Sequence, residues 1–138
     1  MSLLSVIVPC YNEEESVALF YQELTKNDPF FKEKEIELEL LYIDDGSKDG
    51  TVREVKKLIE QDSRVHIVSF SRNFGKEAAI FAGLAQACGD VVAVMDCDLQ
   101  HPPQTLLEMY RLWQEGYEVI EGVKADRGKE GFLHKECA

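Results

Sequence analysis

The sequence predicts an α/β protein built around a mainly parallel sheet. Short apolar stretches of strand length alternate along the chain with longer stretches whose apolar residues recur at helical spacing. Strand, helix and strand in this order form βαβ units, whose strands run parallel. The strand-like stretches are also rich in β-branched residues and end in polar loops. The length of 138 residues suits one domain of this class.

The first half of the chain predicts strand, helix and strand. Residues 3–9 are apolar and β-branched, which favours a buried strand closed by Pro9. An amphipathic helix follows, with Asn12 as its candidate N-cap, Glu15 three residues later, and an apolar face of Val17, Phe20, Tyr21 and Leu24. Residues 27–35 are polar and contain a proline, which indicates a surface connection. Residues 36–43 form the second predicted strand.

The second half repeats this alternation. A helix with the apolar positions Val52, Val55, Leu58 and Ile59 follows a loop in which Asp49 is a candidate cap. Strands are predicted at 65–70 and 91–95, separated by an alanine-rich helix at 77–88. Pro102 and Pro103 favour the start of another helix, whose apolar stripe is Leu106, Tyr110 and Trp113. A short fifth strand is predicted at 118–122.

Polar clusters follow three of the predicted strands, at residues 9–13, 44–47 and 96–100. The carboxyl ends of parallel strands share one edge of a sheet, and ligands bind there near a switch in strand order. Asp96 and Asp98 stand two residues apart, so in an extended segment their carboxylates point the same way and Cys97 points oppositely. The pair alone also fits an acidic turn, whereas a divalent metal would relieve its repulsion.

Composition excludes several classes of function. The net charge of −11 argues against a nucleic-acid binder and against electrostatic docking on an anionic membrane. The four cysteines show no zinc-like spacing, and we expect a reducing, cytoplasmic setting. No apolar run reaches the roughly 18 residues of a membrane span.

The strand-end residues suit a metal-assisted nucleotide-diphosphate site. No glycine-rich phosphate loop is present, so phosphate would be held through a metal on Asp98, assisted by Asp96. Arg72 and Lys76 are candidate helpers, although both also suit solvated or paired surface positions. Asp44 or Asp45 would accept hydrogen bonds from a base or a ribose. Tyr11 would lie against the base or pack on the edge of the sheet.

Four segments in order carry a family resemblance, at residues 8–14, 44–51, 72–76 and 96–103. Together they resemble family 2 glycosyltransferases, most closely the polyprenyl-phosphate branch with dolichol-phosphate mannosyltransferase and undecaprenyl-phosphate glucosyltransferases. The resemblance extends over about residues 3 to 127. It implies a GT-A fold, which is a Rossmann-like, mainly parallel sheet with helices on both faces.

The resemblance also implies roles for individual residues. Pro9, Tyr11 and Glu13 would line the nucleotide pocket, and Asp44 or Asp45 would contact the base. Asp96 and Asp98 would hold Mg²⁺ or Mn²⁺ and the diphosphate of a UDP- or GDP-sugar, and Gln100 would lie near the donor sugar or the acceptor phosphate. The expected reaction is an inverting transfer in which a polyprenyl phosphate attacks the anomeric carbon.

The C-terminal segment departs from the family pattern. We expect residues 1–138 to be a single nucleotide-sugar-binding part of a GT-A domain, without the acceptor and membrane parts of full-length relatives at the cytoplasmic face of the membrane. A homodimer that covers an exposed edge is a further expectation. Two alternatives stay open: a non-catalytic nucleotide-sugar binder and, more remotely, a receiver-like signalling domain.

Overall fold

The computed structural model describes residues 2–98, 103–115, 117–121 and 132–135, the last two ranges by their backbone alone. The chain divides into two compact units, Met1–Leu99 and Gln100–Ala138. The described elements of the first unit are β1 (Ser2–Cys10), α1 (Val17–Thr25), α2 (Asp28–Glu33), β2 (Ile36–Asp44), α3 (Thr51–Gln61), β3 (Val65–Ser69), α4 (Lys76–Gln86) and β4 (Val91–Val94). Those of the second are α5 (Thr105–Gln114), β5 (Tyr117–Glu121) and β6 (Phe132–Lys135).

The first unit is organised around a parallel sheet with the strand order β3-β2-β1-β4. Val6 of β1 lies opposite Leu40 of β2 on one side and Ala93 of β4 on the other. The chain moves outward from β1 through β2 to β3 and then returns to the far side of β1 for β4. The strand order therefore switches between β1 and β4, which is where ligands bind in sheets of this kind.

Helices cover both faces of this sheet, as the family resemblance implies. On one face Ala79 of α4 packs against Ile7, Leu41 and Ile43. On the other face the ring of Phe20 in α1 meets Tyr42 edge-on at 6.4 Å, and the Tyr42 hydroxyl donates to the Val17 carbonyl at 2.9 Å. Leu41 and Tyr42 are adjacent in β2, so their side chains point to opposite faces. Burial of a large apolar side chain such as Ile7 or Phe20 stabilises the fold by about 2 kcal/mol.

Two local predictions about the first unit are wrong. α1 begins at Val17 with Ser16 at its N-cap, whereas Asn12 lies four residues earlier with a φ of +53°. The Asn12 side chain accepts a hydrogen bond from another loop, so it is not available to cap α1. The predicted surface connection contains the helix α2, because Pro29 stands in its first turn and the buried Phe31 anchors it.

The second unit contains α5 and a two-stranded sheet. Leu106 and Tyr110 are buried as predicted, and the Tyr110 and Trp113 rings lie 5.5 Å apart. β5 confirms the short strand predicted there, but it pairs antiparallel with β6 in a separate sheet. The sequence did not indicate β6. Within the described part of the chain, no helix is long and apolar enough to cross a membrane.

Candidate functional site

The candidate site lies where the parallel strands of the first unit end. We use "carboxyl rim" for residues 9–14, 44–51, 71–76 and 96–98. The first two of these segments are joined directly: the Asp45 amide donates to the Cys10 carbonyl at 2.8 Å. The Asn12 amide donates to Ser47 Oγ at 2.8 Å, and the Lys48 amide donates to Asn12 Oδ1 at 2.8 Å. The loops after β1 and β2 therefore form one connected layer.

Two more hydrogen bonds join the loops after β1 and β2. The Glu13 amide donates to Thr51 Oγ1 at 2.9 Å, and the Glu14 amide donates to Asp49 Oδ2 at 3.2 Å. Asp49 Oδ1 also accepts the Thr51 amide at 2.9 Å, so it binds the first backbone donor of α3, although the N-cap position is Gly50 and not Asp49 as predicted. Short polar side chains satisfy backbone donors that the turns leave unpaired. These hydrogen bonds hold the backbone of Glu13 in place.

Asp44 and Asp45 are buried and make internal hydrogen bonds. Asp44 is 2% exposed and accepts from the Ser47 amide at 3.1 Å and from Ser69 Oγ at 3.0 Å. Asp45 is 4% exposed and accepts from the Phe74 amide at 2.8 Å. These contacts position the neighbouring loops. Contact of either carboxylate with a nucleotide stays a prediction.

The Asp45 carboxylate organises the segment that leads into α4. In addition to the hydrogen bond from the Phe74 amide, it accepts hydrogen bonds from Asn73 Nδ2 at 3.1 Å and from the Gly75 amide at 3.1 Å. Gly46, at φ +76°, allows this segment to pass close by, because a Cβ there would lie 2.3 Å from the Arg72 carbonyl carbon. The buried carboxylate and the glycine together determine where α4, and hence Lys76, begins.

Asp96 and Asp98 follow β4 at the switch in strand order. The Met95 amide donates to the Ile7 carbonyl at 2.9 Å, which keeps the chain beside β1 as it leaves the sheet. Lys76 Nζ lies 2.7 Å from Asp96 Oδ1, and Asp98 is exposed. Cys97 between them is buried, as predicted from its alternation with the two aspartates. A hydrogen bond with Cys97, together with burial, raises the pKa of the Cys10 thiol.

Glu13 shows that carboxylates gather at this rim. Burial raises its pKa, and the negative charges of Asp98, Asp49 and Asp96 raise it further. These carboxylates, which come from three different loops, are therefore close enough to repel one another. Lys76 compensates part of this charge. An excess of negative charge in one place is the electrostatic condition for binding a cation.

The residues fit a divalent metal that is shared with a ligand. Among the described residues no group of three or more His, Cys, Asp or Glu side chains could hold a metal alone. Mg²⁺ commonly binds one or two carboxylates and completes its shell with substrate phosphates and water. Asp96 and Asp98 match that pattern, since both are oxygen donors at the edge where a diphosphate would lie.

Aromatic side chains flank the charged part of the rim. Tyr11 is 44% exposed and Phe74 53% exposed, so both offer ring surface to a ligand. The Arg72 guanidinium lies 4.8 Å from the centre of the Phe74 ring, a cation–π contact. Pro9 is half-buried at the end of β1. Gln100 lies outside the described residues.

Sequence reasoning missed several residues that hold this site together. Asn73, Ser47, Thr51 and Ser69 carry its internal hydrogen bonds, and Phe74 supplies exposed ring surface. A usable signal was present, because Asn, Ser and Thr concentrate in the loops directly after strands. Which of them pair with one another depends on strand neighbours that the sequence order does not reveal.

This fold and rim define a class of protein, and comparison with known families agrees. The model of glycosyl transferase family 2 matches residues 5–136, so the chain belongs to that family. The fold is accordingly of the GT-A type implied by the resemblance. The family match also leaves no support for a receiver-like domain.

Individual relatives extend the likeness. An uncharacterised glycosyltransferase of Bacillus subtilis (strain 168) is 43% identical over 97% of this chain. A prophage bactoprenol glucosyl transferase homologue of Escherichia coli (strain K12) is 38% identical over 98% of this chain. The matches cover 41% and 43% of those proteins. The chain thus spans about two fifths of the length of these curated relatives.

Two solved structures are similar to the chain. One is a mannosyltransferase from Pyrobaculum calidifontis in complex with GDP-Man and Mn²⁺, with 29% identity and a TM-score of 0.60 over 69% of this chain and 27% of that one. The other is S. aureus TarS in complex with UDP-GlcNAc, with 29% identity and a TM-score of 0.65 over 84% of this chain and 32% of that one.

Proposed function

We propose that the carboxyl rim binds a nucleotide-diphosphate sugar together with Mg²⁺ or Mn²⁺, and that the protein to which this sheet belongs transfers the sugar to a polyprenyl phosphate with inversion. The observation that carries the proposal is the position of Asp96 and Asp98. They follow β4 at the switch in strand order, beside Glu13 and opposite Lys76. The mannosyltransferase and TarS complexes support a nucleotide sugar, and the former supports a metal.

The two aspartates would hold the metal, with Asp98 as the direct ligand and Asp96 as support. When bound, the metal supplies charge that stabilises the departing nucleoside diphosphate. Arg72 and Lys76 would attract the diphosphate from the other side, because both carry cations beside the rim. The exposure of Asp98 and the burial of Cys97 support this role, since an exposed carboxylate is accessible to a metal and a ligand.

The nucleoside would lie along the loop after β1. Tyr11 offers an exposed ring for stacking on the base, and Pro9 and Glu13 would form the adjoining wall. Asp44 and Asp45 would act mainly by holding the loops in place, because both are almost completely buried and already hydrogen-bonded. A contact of either with the base would require one of these hydrogen bonds to be shared.

The acceptor part of the proposal depends on the relatives. The bactoprenol glucosyl transferase homologue supports a polyprenyl phosphate, and such an acceptor implies work at the cytoplasmic face of a membrane. A phosphate is already an anionic nucleophile, so the transfer needs no general base to remove a proton. Gln100 would lie near the sugar or the acceptor phosphate.

A second candidate function is nucleotide-sugar binding without transfer. The observation behind it is that the described residues with proposed roles all lie on the donor side of the proposed site. Incubation with donor and polyprenyl phosphate, with the glycolipid product measured, separates the two. Donor binding without product would support the binder.

Calorimetric titration with UDP and GDP, with and without Mn²⁺, tests donor binding. We expect at least one nucleotide to bind in a metal-dependent way, and Asp98→Asn to weaken that binding by at least about tenfold. Asp90→Asn is a matched control, because Asp90 is an exposed carboxylate that contacts the Leu3 amide at the opposite edge. Binding that needs no metal, or that Asp98→Asn leaves unchanged, would contradict the metal role.

A further inference from the structure

The ion pair between Lys76 and Asp96 places a cation where a metal would have to act. Lys76 Nζ lies 2.7 Å from Asp96 Oδ1, and the side chains are 60% and 27% exposed. Pairs as exposed as this one contribute little to stability, because water and salt screen them and both side chains lose freedom. The pair therefore exchanges readily, and its position at the carboxyl rim calls for a functional explanation.

The backbone that leads into Lys76 is held in place by hydrogen bonds, although the Lys76 ammonium group is exposed. Lys76 is the first residue of α4, and the two residues before it donate their amides to the buried Asp45 carboxylate. Gly75, with a φ of +103°, turns the chain into the helix. The ammonium can thus move on a flexible stem while its attachment point stays fixed beside Asp96.

A metal ion and this ammonium oppose each other in the absence of a donor. Metal–carboxylate distances are about 2.0–2.6 Å, so a divalent cation on Asp96 would lie within a few ångströms of Lys76 Nζ and would be repelled by it. A bound diphosphate reverses the sign of this effect. Its negative charge would attract both cations, and the ammonium could move from Asp96 onto a phosphate oxygen.

We infer that Lys76 is a positioning residue that makes metal binding depend on the donor. In this role it occupies Asp96 in the free protein and passes to the diphosphate when metal and nucleotide bind together. The inference rests on the proposed function, since it presupposes a metal on Asp96 and Asp98. It goes further in predicting positive coupling between the metal and the nucleotide, a coupling to which Lys76 contributes.

Mn²⁺ titrations followed by electron paramagnetic resonance test the inference without any measurement of activity. In the absence of nucleotide, Lys76→Met is expected to bind Mn²⁺ about threefold more tightly than the unmodified chain, because the competing cation is gone. The enhancement of Mn²⁺ affinity by UDP or GDP is expected to fall at least about fivefold. Lys76→Arg keeps the charge and should stay within about twofold of the unmodified chain in both titrations.

Lys57→Met is the matched control. Lys57 forms a similar exposed pair, 3.0 Å from Glu54 on α3 with a side chain 59% exposed, and it should change neither titration. Lys76→Gln repeats the test if the methionine variant does not fold, as judged by circular dichroism.

Several results would overturn the inference. One is a Lys76 variant that binds Mn²⁺ alone no more tightly than the unmodified chain, including the case in which neither binds. Unchanged coupling, or an arginine variant that behaves like the methionine variant, would do the same. These results differ from failure of the proposed function, in which the unmodified chain binds no nucleotide in the presence of Mn²⁺.

Discussion

Acidic side chains at the two edges of the parallel sheet have different electrostatic surroundings. At the amino edge, before β3, Asp62 accepts from Arg64 Nη2 at 2.8 Å and from the Tyr21 hydroxyl at 2.7 Å, and Asp28 binds the same guanidinium at 3.1 Å. At the carboxyl rim, Glu13 is repelled by three other acids.

The pKa values express this difference. Hydrogen bonding from Arg64 holds the pKa of Asp62 well below its usual range, against the opposing effect of burial. Burial and neighbouring acids raise the pKa of Glu13 instead. Asp62 at the amino edge therefore stabilises the fold, whereas the charge of Glu13 at the carboxyl rim costs stability. A group of acids whose mutual repulsion costs stability is a candidate binding site.

Replacement of Gly46 would break the carboxyl rim most severely. In Gly46→Ala the new Cβ would meet the backbone of Arg72 and Asn73, and alanine would be strained at a φ of +76°. We expect the free energy of unfolding to fall by about 3 kcal/mol, measured by urea denaturation at neutral pH.

Gly50→Ala is the control for this substitution. Gly50 has a φ of −84°, and the atoms nearest to a Cβ there would be the ends of the flexible side chains of Arg53 and Glu14. Its effect should stay within about 0.5 kcal/mol. Equal losses for the two variants would show that the close passage of the 71–76 segment does not constrain the rim.

Replacement of Arg64 would remove the compensation at the amino edge. Arg64→Met leaves Asp62 and Asp28 without their shared cation, and we expect a loss of about 1 kcal/mol near neutral pH, because the pair is partly exposed. The folded pKa of Asp62 is lowered, so its contribution is present above the unfolded value of 3.8 and is lost as the pH falls through the folded value.

Urea denaturation at several pH values checks both parts of this prediction. The difference between the variant and the unmodified chain should narrow as the pH falls from about 5 to about 2. Lys57→Met, which breaks a more exposed pair, should change stability by less than about 0.5 kcal/mol. A loss for Arg64→Met that is constant with pH would point to lost packing of the arginine stem instead.

Removal of the Glu13 charge should have the smallest effect and the opposite sign. The folded pKa of Glu13 is raised above 4.5, so its contribution is fully present below 4.5 and is lost as the pH rises through the folded value. Glu13→Gln avoids that loss, and we expect the variant to be more stable by about 0.3 kcal/mol at neutral pH. The thermal unfolding midpoints of the variant and of the unmodified chain should become equal near pH 4. A destabilised variant at neutral pH would contradict the electrostatic account of the rim.

Much of the fold could be predicted because its signals are local. Short apolar, β-branched runs located the four strands of the parallel sheet, and most of the fully buried residues of α1, α3 and α5 lie at predicted apolar positions. The exceptions are segments whose structure depends on distant partners. Asn12 has the composition of a cap, but its side chain finds Lys48 from another loop. α2 has a polar sequence and is held by Phe31.

For the candidate site, residue type and chain order were informative about which residues follow the strands. The spacing of Asp96, Cys97 and Asp98 predicted that the aspartates and the cysteine face opposite ways, because side chains alternate in an extended chain. The family motifs predicted membership in glycosyl transferase family 2, which the family match confirmed.

Pairing between distant residues was decided only by the tertiary structure. The contact of Lys76 with Asp96 and the burial of Asp45 under the 71–76 segment join residues about 20 to 30 positions apart. The first contact depends on the position of β4 beside β1, and the second on the position of β3 beside β2. Strand order is set by packing of the whole sheet, so no local pattern in the sequence contains it.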